Sequence, residues 1–312
     1  MSKLAILVVY FLPDEALPVL DLHLKQIEAM TTCDFEILAA APRVSNVVHQ
    51  RLQDCKKLKL LQIEPTSKTG SMEHCYYLDH LAEHAAATGA DRICTMDPDA
   101  FPIEKGWNEK IEGMALERQV PVVAVLRAEN DDTDLPHPCC CYITREYYIT
   151  QHPLFYAPDD APTNAGYKSF LAKTGQRPDS GIGIGFSLWS TQTKWVQLTR
   201  SNAINDHFLL AGIYGDLIFH LGALSWTDRD FRKDRNTRLA LRALDWVEKT
   251  CRARGLFYGQ VRSVWMRLNH RANRTLVADT NRIFSESLHR LTHEPSEYIE
   301  YLRGSSTNLV LR

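Results

Sequence analysis

Several features that would assign the chain to a specialised class are missing from its 312 residues. No apolar stretch approaches the length needed to span a bilayer. The eight cysteines show no zinc-type spacing, and their scattered positions favour a reduced compartment over a disulfide framework. The glycines at positions 181, 183 and 185 lack the spacing of a dinucleotide loop, and no recognised nucleic-acid-binding motif is present. The sequence therefore argues against a membrane-spanning protein, an NAD site and a nucleic-acid partner.

A large excess of one charge is also missing, because the formal net charge is only −2. The distribution is uneven, however, since residues 229–312 carry +8 and residues 1–228 carry −10. The length suits two domains, or one large domain with an appendage. We therefore predict a domain at 1–228, followed by a basic helical region at 229–312.

Part of the basic region has the pattern of an amphipathic helix. Apolar residues recur at helical spacing and arginines form a separate stripe; the apolar set is Phe257, Val261, Val264, Trp265 and Leu268, and the arginines are Arg267, Arg271 and Arg274. Such a helix can lie on an anionic membrane surface, or it can pack on the acidic domain or a second copy of the chain. We expect a cytoplasmic protein, peripheral at the inner face of a membrane in the first case and able to form homo-oligomers in the second.

The first part of the chain alternates strand-like and helix-like segments. Residues 4–10 form an apolar run with no small-residue cleavage site after it, so we interpret it as a first strand and not as a signal peptide. Residues 35–41 and 58–63 are further strand candidates, and Ser71 can cap the helix that follows. The inner face of that helix would consist of Leu78, Leu81, Ala82 and Ala85. This alternation predicts an α/β fold with a mainly parallel sheet and helices on both faces.

A short apolar run at residues 93–96 is followed by two acids one residue apart, Asp97 and Asp99. A strand that stops there places both carboxylates at the carboxyl edge of the sheet, where open α/β folds bind their ligands. Carboxylates together with diphosphate oxygens are the ligands that Mg²⁺ and Mn²⁺ prefer. Because Asp-Pro-Asp is also ordinary turn chemistry, a metal site and a polar turn are both open.

The order of these motifs resembles a known fold. The first strand, the Thr69-Gly70-Ser71 turn with its long helix, and Thr95-Met96-Asp97-Pro98-Asp99 with Trp107 soon after are similar to the nucleotide-sugar half of a GT-A glycosyltransferase, a Rossmann-like fold. The similarity is greatest to the inverting family 2. Residues 218–222 resemble the strand-borne histidine that often completes the metal site in this fold. The resemblance covers roughly residues 3 to 228 and depends on the order of weak motifs.

The resemblance implies a metal-dependent transferase with Mn²⁺ or Mg²⁺ at the donor diphosphate. It implies Asp99 as a direct ligand, Asp97 as a contact of the ion or the ribose, and His220 as a third ligand. From the residues alone, a lone histidine on a strand is more often a hydrogen-bonded core residue, and that interpretation stays open.

An inverting transferase also needs a base that takes the proton from the acceptor hydroxyl. Asp179 is the first candidate, because it stands about 80 residues beyond the acid pair, where the resembling family places its catalytic acid. Alternatively, Asp179 caps the following helix or shapes a glycine-rich turn. Asp206 and Asp216 are reserves for the same role.

Other residues are candidates for binding the two substrates. Tyr10, Phe11, Pro42 and Arg43 follow the first two strands and could flank the nucleotide. His137 could contact the acceptor or lie on a loop surface. Residues 147–173, rich in Pro and Tyr, could form an acceptor-side loop or an ordinary surface insertion.

Three classes of function follow. The favoured class is a glycosyltransferase of glycan biosynthesis that uses a nucleotide-diphosphate sugar, expected to be a UDP-sugar, and a glycan or lipid-linked acceptor. The second class is a nucleotidyltransferase or an aspartyl phosphatase, the latter weakened because Ala100-Phe101-Pro102, without a threonine, follows the second acid. The third class is a glycan-binding or scaffolding protein that kept the fold and lost turnover.

Overall fold

The computed structural model describes residues 3–130, 135–161, 163–207, 209–224, 246, 250 and 274–305. By their internal contacts the residues form two units, one of Met1–Ser225 with Arg290–Arg312 and the other of Trp226–His289. The first unit contains all the strands named below and the candidate site.

The strands of the described residues are β1 (Lys3–Val9), β2 (Asp34–Ala40), β3 (Leu58–Leu60), β4 (Arg92–Met96), β5 (Ala100–Pro102), β6 (Val122–Val125), β7 (His137–Thr144), β8 (Val196–Leu198), β9 (Gly212–Tyr214) and β10 (Ile218–His220). The helices are α1 (Leu17–Met30), α2 (Asn46–Gln53), α3 (Ser71–Ala87), α4 (Trp107–Arg118), α5 (Arg145–Gln151), α6 (Ala165–Thr174), α7 (Ile182–Ser190), α8 (Arg274–His293) and α9 (Pro295–Leu302).

The main sheet has seven strands in the order β3-β2-β1-β4-β7-β6-β8. Strand β7 runs antiparallel to β4 and β6, whereas the other neighbouring pairs are parallel. Cys139, Cys140 and Cys141 lie buried in β7 and are free thiols. The predicted α/β fold with a mainly parallel sheet flanked by helices is confirmed.

Helix α3 packs across β1, β2 and β4. Its predicted inner face is confirmed, because Leu78, Leu81, Ala82 and Ala85 are buried in one apolar cluster with residues of β1. The expected capping by Ser71 is wrong, since the helix follows Gly70 (φ 61°) and no side chain caps it. The Ser71 hydroxyl instead donates a hydrogen bond to the side chain of Asp179.

A second sheet of three antiparallel strands, in the order β5-β10-β9, adjoins the acid pair. Strand β5 begins directly after Asp99. Helix α1 anchors this strand, because His23 Nδ1 lies 2.6 Å from Ala100 O. The sequence thus passes from the main sheet into the second sheet through the acid pair.

The last helix belongs to the first unit. The Leu302 carbonyl accepts hydrogen bonds from the amides of Ala203 (2.9 Å) and Ile204 (3.1 Å). Residues 290–312 are therefore grouped with residues 1–225, whereas the sequence predicts one separate region at 229–312. As a statement about domains, the division after residue 228 stays a prediction.

The predicted amphipathic helix of the basic region falls outside the described residues, apart from Arg274, where α8 begins. Among the helices of the described part, none combines the length and the apolarity that crossing a membrane requires.

Candidate active site

The acid pair lies in the short turn between β4, which ends at Met96, and β5, which begins at Ala100. Asp97 donates its amide to Cys139 O (3.3 Å) and accepts at its own carbonyl from the Ala100 amide (2.9 Å). The Asp-Pro-Asp sequence is therefore a turn, as one interpretation predicts. The turn also holds both carboxylates at the carboxyl end of β4, as the other interpretation requires.

Strand pairing brings His220 to the acids. In the antiparallel pair of β5 and β10, His220 is opposite Ala100, one residue after Asp99. The His220 Nε2 atom lies 3.3 Å from Asp99 Oδ1 and 3.7 Å from Asp97 Oδ2. One ligand atom from each of the three residues falls within 4.8 Å of the others. Two carboxylates and an imidazole form a donor set that fits a divalent ion accepting oxygen and nitrogen ligands.

The two acids differ in how they hold charge. Burial raises the pKa of Asp97, although the His74 and His220 imidazoles oppose the rise. Burial acts on Asp99 in the same direction, but His220 and the Leu224 amide outweigh it and hold the pKa of Asp99 below its usual value. Asp99, only 5% exposed, is therefore the more firmly ionised acid and the better anionic ligand.

Two further histidines stand beside the acid pair. His74 Nε2 lies 3.7 Å from Asp97 Oδ1, and the His137 and His220 rings are 6.0 Å apart. The Cys139 amide donates to His137 Nδ1 (3.1 Å), so a neutral His137 ring carries its proton on Nε2. The sequence analysis does not identify His74 as a site residue. The sequence feature that could have indicated it is its place in the first turn of the helix after Thr69-Gly70-Ser71.

Asp179 is held by the same first turn of α3 that carries His74. Asp179 Oδ1 accepts hydrogen bonds from Ser71 Oγ (2.6 Å) and from the Ser180 amide (2.8 Å). The cap of α7 is Gly181, so Asp179 shapes the turn before that helix but does not cap it with its side chain. The first turn of α3 thus contacts Asp179 through Ser71 and Asp97 through His74.

The segment that carries Asp179 also passes close to His137. Gly181 has φ 89°, and a Cβ atom added there would lie 1.9 Å from the carbonyl oxygen of Pro136. Only glycine permits this approach. The structure therefore brings Asp179, His74 and His137 into the surroundings of the acid pair.

The predicted nucleotide-flanking residues divide into two groups. The Arg43 guanidinium lies 4.4 Å from the centre of the Phe11 ring, and Arg43 Nη2 is 3.1 Å from Glu73 Oε2. Phe11 also contacts His74, with ring centres 6.3 Å apart, so this cluster adjoins the acid pair. The Tyr10 side chain instead lies in the core, where its hydroxyl is 3.2 Å from His23 Nε2.

The remaining candidates lie in other settings. Pro42 is exposed on the turn after β2. Asp206 Oδ1 accepts a hydrogen bond from Tyr301 Oη (2.7 Å), which ties it to α9. Asp216 is in the left-handed region (φ 58°) and donates its amide to Ser201 Oγ. Neither reserve acid has a contact with the acid pair within the described residues.

Residues 147–173 include parts of α5 and α6. Several of their aromatic rings pack against α7, for example Tyr167 on Phe186, with ring centres 5.3 Å apart. Both interpretations of this segment, an acceptor-side loop and a surface insertion, stay predictions.

No family model matches the chain, and the comparison with curated proteins gives no match. Among solved structures, the chain is similar to the mannosyltransferase PcManGT from Pyrobaculum calidifontis, in complex with GDP-Man and Mn²⁺ (10% identity, TM-score 0.44, 97% of this chain and 84% of that chain). It is also similar to S. aureus TarS (11% identity, TM-score 0.41), covering 63% of this chain but only 35% of TarS. A third similar structure is a CMP:2-keto-3-deoxy-manno-octonic acid synthetase complexed with CTP (13% identity, TM-score 0.38, 64% of this chain and 90% of that chain). These likenesses concern the fold, and membership of family 2 stays a prediction.

Proposed function

We propose that the protein transfers a sugar from a nucleotide-diphosphate sugar, with UDP as the expected nucleotide, to a glycan or lipid-linked acceptor. The observation that carries the proposal is the meeting of Asp97, Asp99 and His220 within 4.8 Å at the carboxyl end of β4. The likeness of fold to glycosyltransferases agrees with it.

The three residues would hold Mn²⁺ or Mg²⁺, which supplies positive charge to the diphosphate as it leaves. Asp99, the more readily ionised acid, would provide negative charge, and His220 would provide a nitrogen ligand. Asp97 would contact either the ion or the ribose. The first turn of α3 faces the same place, and the free amides of a helix N-terminus favour phosphate oxygens. Phe11 and Arg43 would contact the nucleoside.

Asp179 is the proposed base. Among the described residues, Ser71 and Ser180 both donate to Oδ1, and we assign Oδ2 to the acceptor hydroxyl. In the proposed step Oδ2 takes the hydroxyl proton, the acceptor oxygen bonds to the anomeric carbon, and the bond from that carbon to the diphosphate oxygen breaks. This direct displacement inverts the anomeric configuration.

The experiment is to supply UDP-sugars with Mn²⁺, with and without chelator, and to identify the released nucleotide. Release of UDP supports sugar transfer, and saturable UDP–Mn²⁺ binding with no release supports a binding or scaffolding protein. A parallel assay supplies nucleoside triphosphates with sugar phosphates, because a nucleotidyltransferase would release pyrophosphate from the triphosphate as the nucleotide joins the sugar phosphate. A thermal-shift series with nucleoside diphosphates and Mn²⁺ identifies the nucleotide, because a ligand of the native state raises its stability.

The cellular location is a separate part of the proposal. We propose a cytoplasmic enzyme whose basic region, through Arg267, Arg271 and Arg274, contacts an anionic membrane; each arginine near the surface is worth about 1 kcal/mol. Co-sedimentation with anionic vesicles should then weaken at high salt and in the triple Arg→Glu variant. Absence of vesicle binding at low salt would favour internal packing or self-association of that helix.

A further inference from the structure

One stripe of α3 contacts the Asp179 turn at two successive helical turns and Phe155, which is bonded to that turn, at the third. The stripe consists of Ser71, Cys75 and Asp79, which follow one another at intervals of four residues. Residues spaced in this way lie on the same face of a helix. Each of the three has a contact with residues 155 or 179–181, as described next.

The contacts form a continuous chain. Ser71 Oγ donates to Asp179 Oδ1 (2.6 Å), and the Cys75 thiol interacts with Ser180 and Gly181. At the far end, Asp79 Oδ1 accepts from the Phe155 amide (2.8 Å). The Phe155 carbonyl in turn accepts from the Gly181 amide (2.8 Å), two residues after Asp179. Asp79 is therefore linked to the Asp179 turn through the backbone of a single residue.

The packing around this chain leaves little room for movement. A Cβ atom on Gly183 would lie 2.0 Å from Tyr156 O and 2.2 Å from Leu154 O. Because the neighbours are backbone atoms, they cannot turn aside as a flexible side chain would. A shift of residues 154–156 would therefore be passed on to the start of α7 and to the turn before it.

We propose that Asp79 is a positioning residue for the proposed base, acting through Phe155 and Gly181 to fix where the Asp179 carboxylate stands. The inference rests on the proposed function, because Asp179 needs an exact position only if it takes a proton from an acceptor. Asp79 touches neither the acid pair nor the nucleotide-flanking residues in the described structure. Its loss should therefore act on the chemical step and spare the binding of the donor.

The chemistry of Asp79 agrees with a specific task. Burial raises the pKa of Asp79 to about 7, against the opposing hydrogen bond from the Phe155 amide. A partly buried carboxyl group costs free energy unless it forms a hydrogen bond. Asp79 forms this hydrogen bond with the Phe155 amide, where the segment leading to Asp179 is attached to α3.

The test compares Asp79→Ala with Asp79→Asn. Asparagine keeps a side-chain oxygen that can accept from the Phe155 amide, whereas alanine does not. Glu83→Gln, an exposed position one turn further along α3, is the matched control. Asp79→Ser, too short to reach Phe155 but still polar, replaces the alanine variant if that variant unfolds.

Two readouts separate the inference from the proposed function. With active enzyme, Asp79→Ala should lower kcat about 10-fold or more, since an error of about 1 Å in position can cost 10²-fold, while donor KM stays unchanged. Asp79→Asn should restore kcat. Independently of any activity, hydrogen exchange at the Phe155 and Gly181 amides should speed up in Asp79→Ala but not in Asp79→Asn or Glu83→Gln.

Unchanged exchange at Phe155 and Gly181 in Asp79→Ala would overturn the link itself. Faster exchange with unchanged kcat, or with a change in donor KM alone, would overturn the positioning role. If the wild type transfers no sugar, the proposed function fails, and the exchange measurement still decides whether Asp79 holds the Asp179 turn.

Discussion

The two sides of the candidate site are positioned in different ways. Asp97, Asp99 and His220 are placed by backbone pairing, because β5 follows Asp99 directly and β10 pairs with β5. Asp179 lies on a turn that is held by the side chains of α3, through Ser71 directly and Asp79 indirectly. The positions of the acid pair and His220 are fixed by a sheet, whereas the position of Asp179 depends on a few individual hydrogen bonds.

This difference has a physical consequence. The backbone pairing of β5 with β10, together with the bond from the Leu221 amide to Asp99 O, would have to break before the acid pair could separate from His220. By contrast, a single exchange of a side-chain acceptor at Asp79 or Ser71 removes one of the few attachments of the Asp179 turn. Substitutions should therefore affect metal binding and the chemical step separately.

The largest effect is expected on the sheet-built side, with Asp99→Asn. This change keeps the size of the buried side chain but removes its negative charge, so UDP affinity in the presence of Mn²⁺ should fall by more than about 100-fold. Loss of a residue that only supports a metal ligand already lowers metal affinity by about 10–100-fold. Isothermal titration measures it, with the exposed Asp159→Asn as control. Wild-type affinity in Asp99→Asn would remove this residue from the site.

On the helix-held side, Asp179→Asn should lower kcat by about 10²-fold or more, the usual scale for loss of a general base, with UDP–Mn²⁺ affinity nearly unchanged. Steady-state kinetics and the same titration measure the two quantities. The control is Ser71→Ala, which keeps the carboxylate but removes one of its donors and should have a smaller effect. If kcat is undiminished in Asp179→Asn, the base is another residue or the mechanism retains configuration.

The same contrast explains what the sequence could predict. The acid pair is predictable as a strand end because an apolar run stops at two acids. His220 is predictable only through the resemblance to a fold in which a strand-borne histidine often completes the metal site. The burial of Tyr10 with its hydroxyl beside His23 could not be predicted, because no local pattern reveals this partner. The bond from Asp79 to Phe155 joins residues 76 positions apart and depends on the path of a loop.

A third prediction tests how tightly the Asp179 side is packed. Gly183→Ala should destabilise the fold by about 1–3 kcal/mol, because the new methyl group meets the backbone of residues 154 and 156. Gly113→Ala, inside α4 with no atom within 4 Å of the added Cβ, should instead stabilise by about 0.5–1 kcal/mol. Denaturant unfolding measures both changes. Equal effects of the two substitutions would contradict the close approach at Gly183.

The last prediction is a pH dependence of stability that belongs to Asp79. Its pKa is about 7 in the folded chain against 3.8 as the ordinary value, so the folded state binds more protons between these values. Stability contributed at low pH is therefore lost as the pH rises through about 7. The groups that act on Asp79 are Cys75 and Glu83 on α3, Lys68 and Asp159 on loops, and Tyr148 on α5.

Asparagine does not titrate, so the stability of Asp79→Asn relative to the wild type should increase between about pH 4 and pH 7 and then level off. Unfolding midpoints measured across this range for both proteins give the difference directly. Glu117→Gln, at an exposed position on α4 that does not act on Asp79, shows how much of it the loss of any acid would produce. A difference that stays constant with pH would mean that Asp79 is ionised throughout. The Asp79 carboxylate would then accept the hydrogen bond from Phe155 without a free-energy penalty for its burial. The Asp179 turn would in that case differ less in stability from the acid pair and His220 than the different ways of positioning them imply.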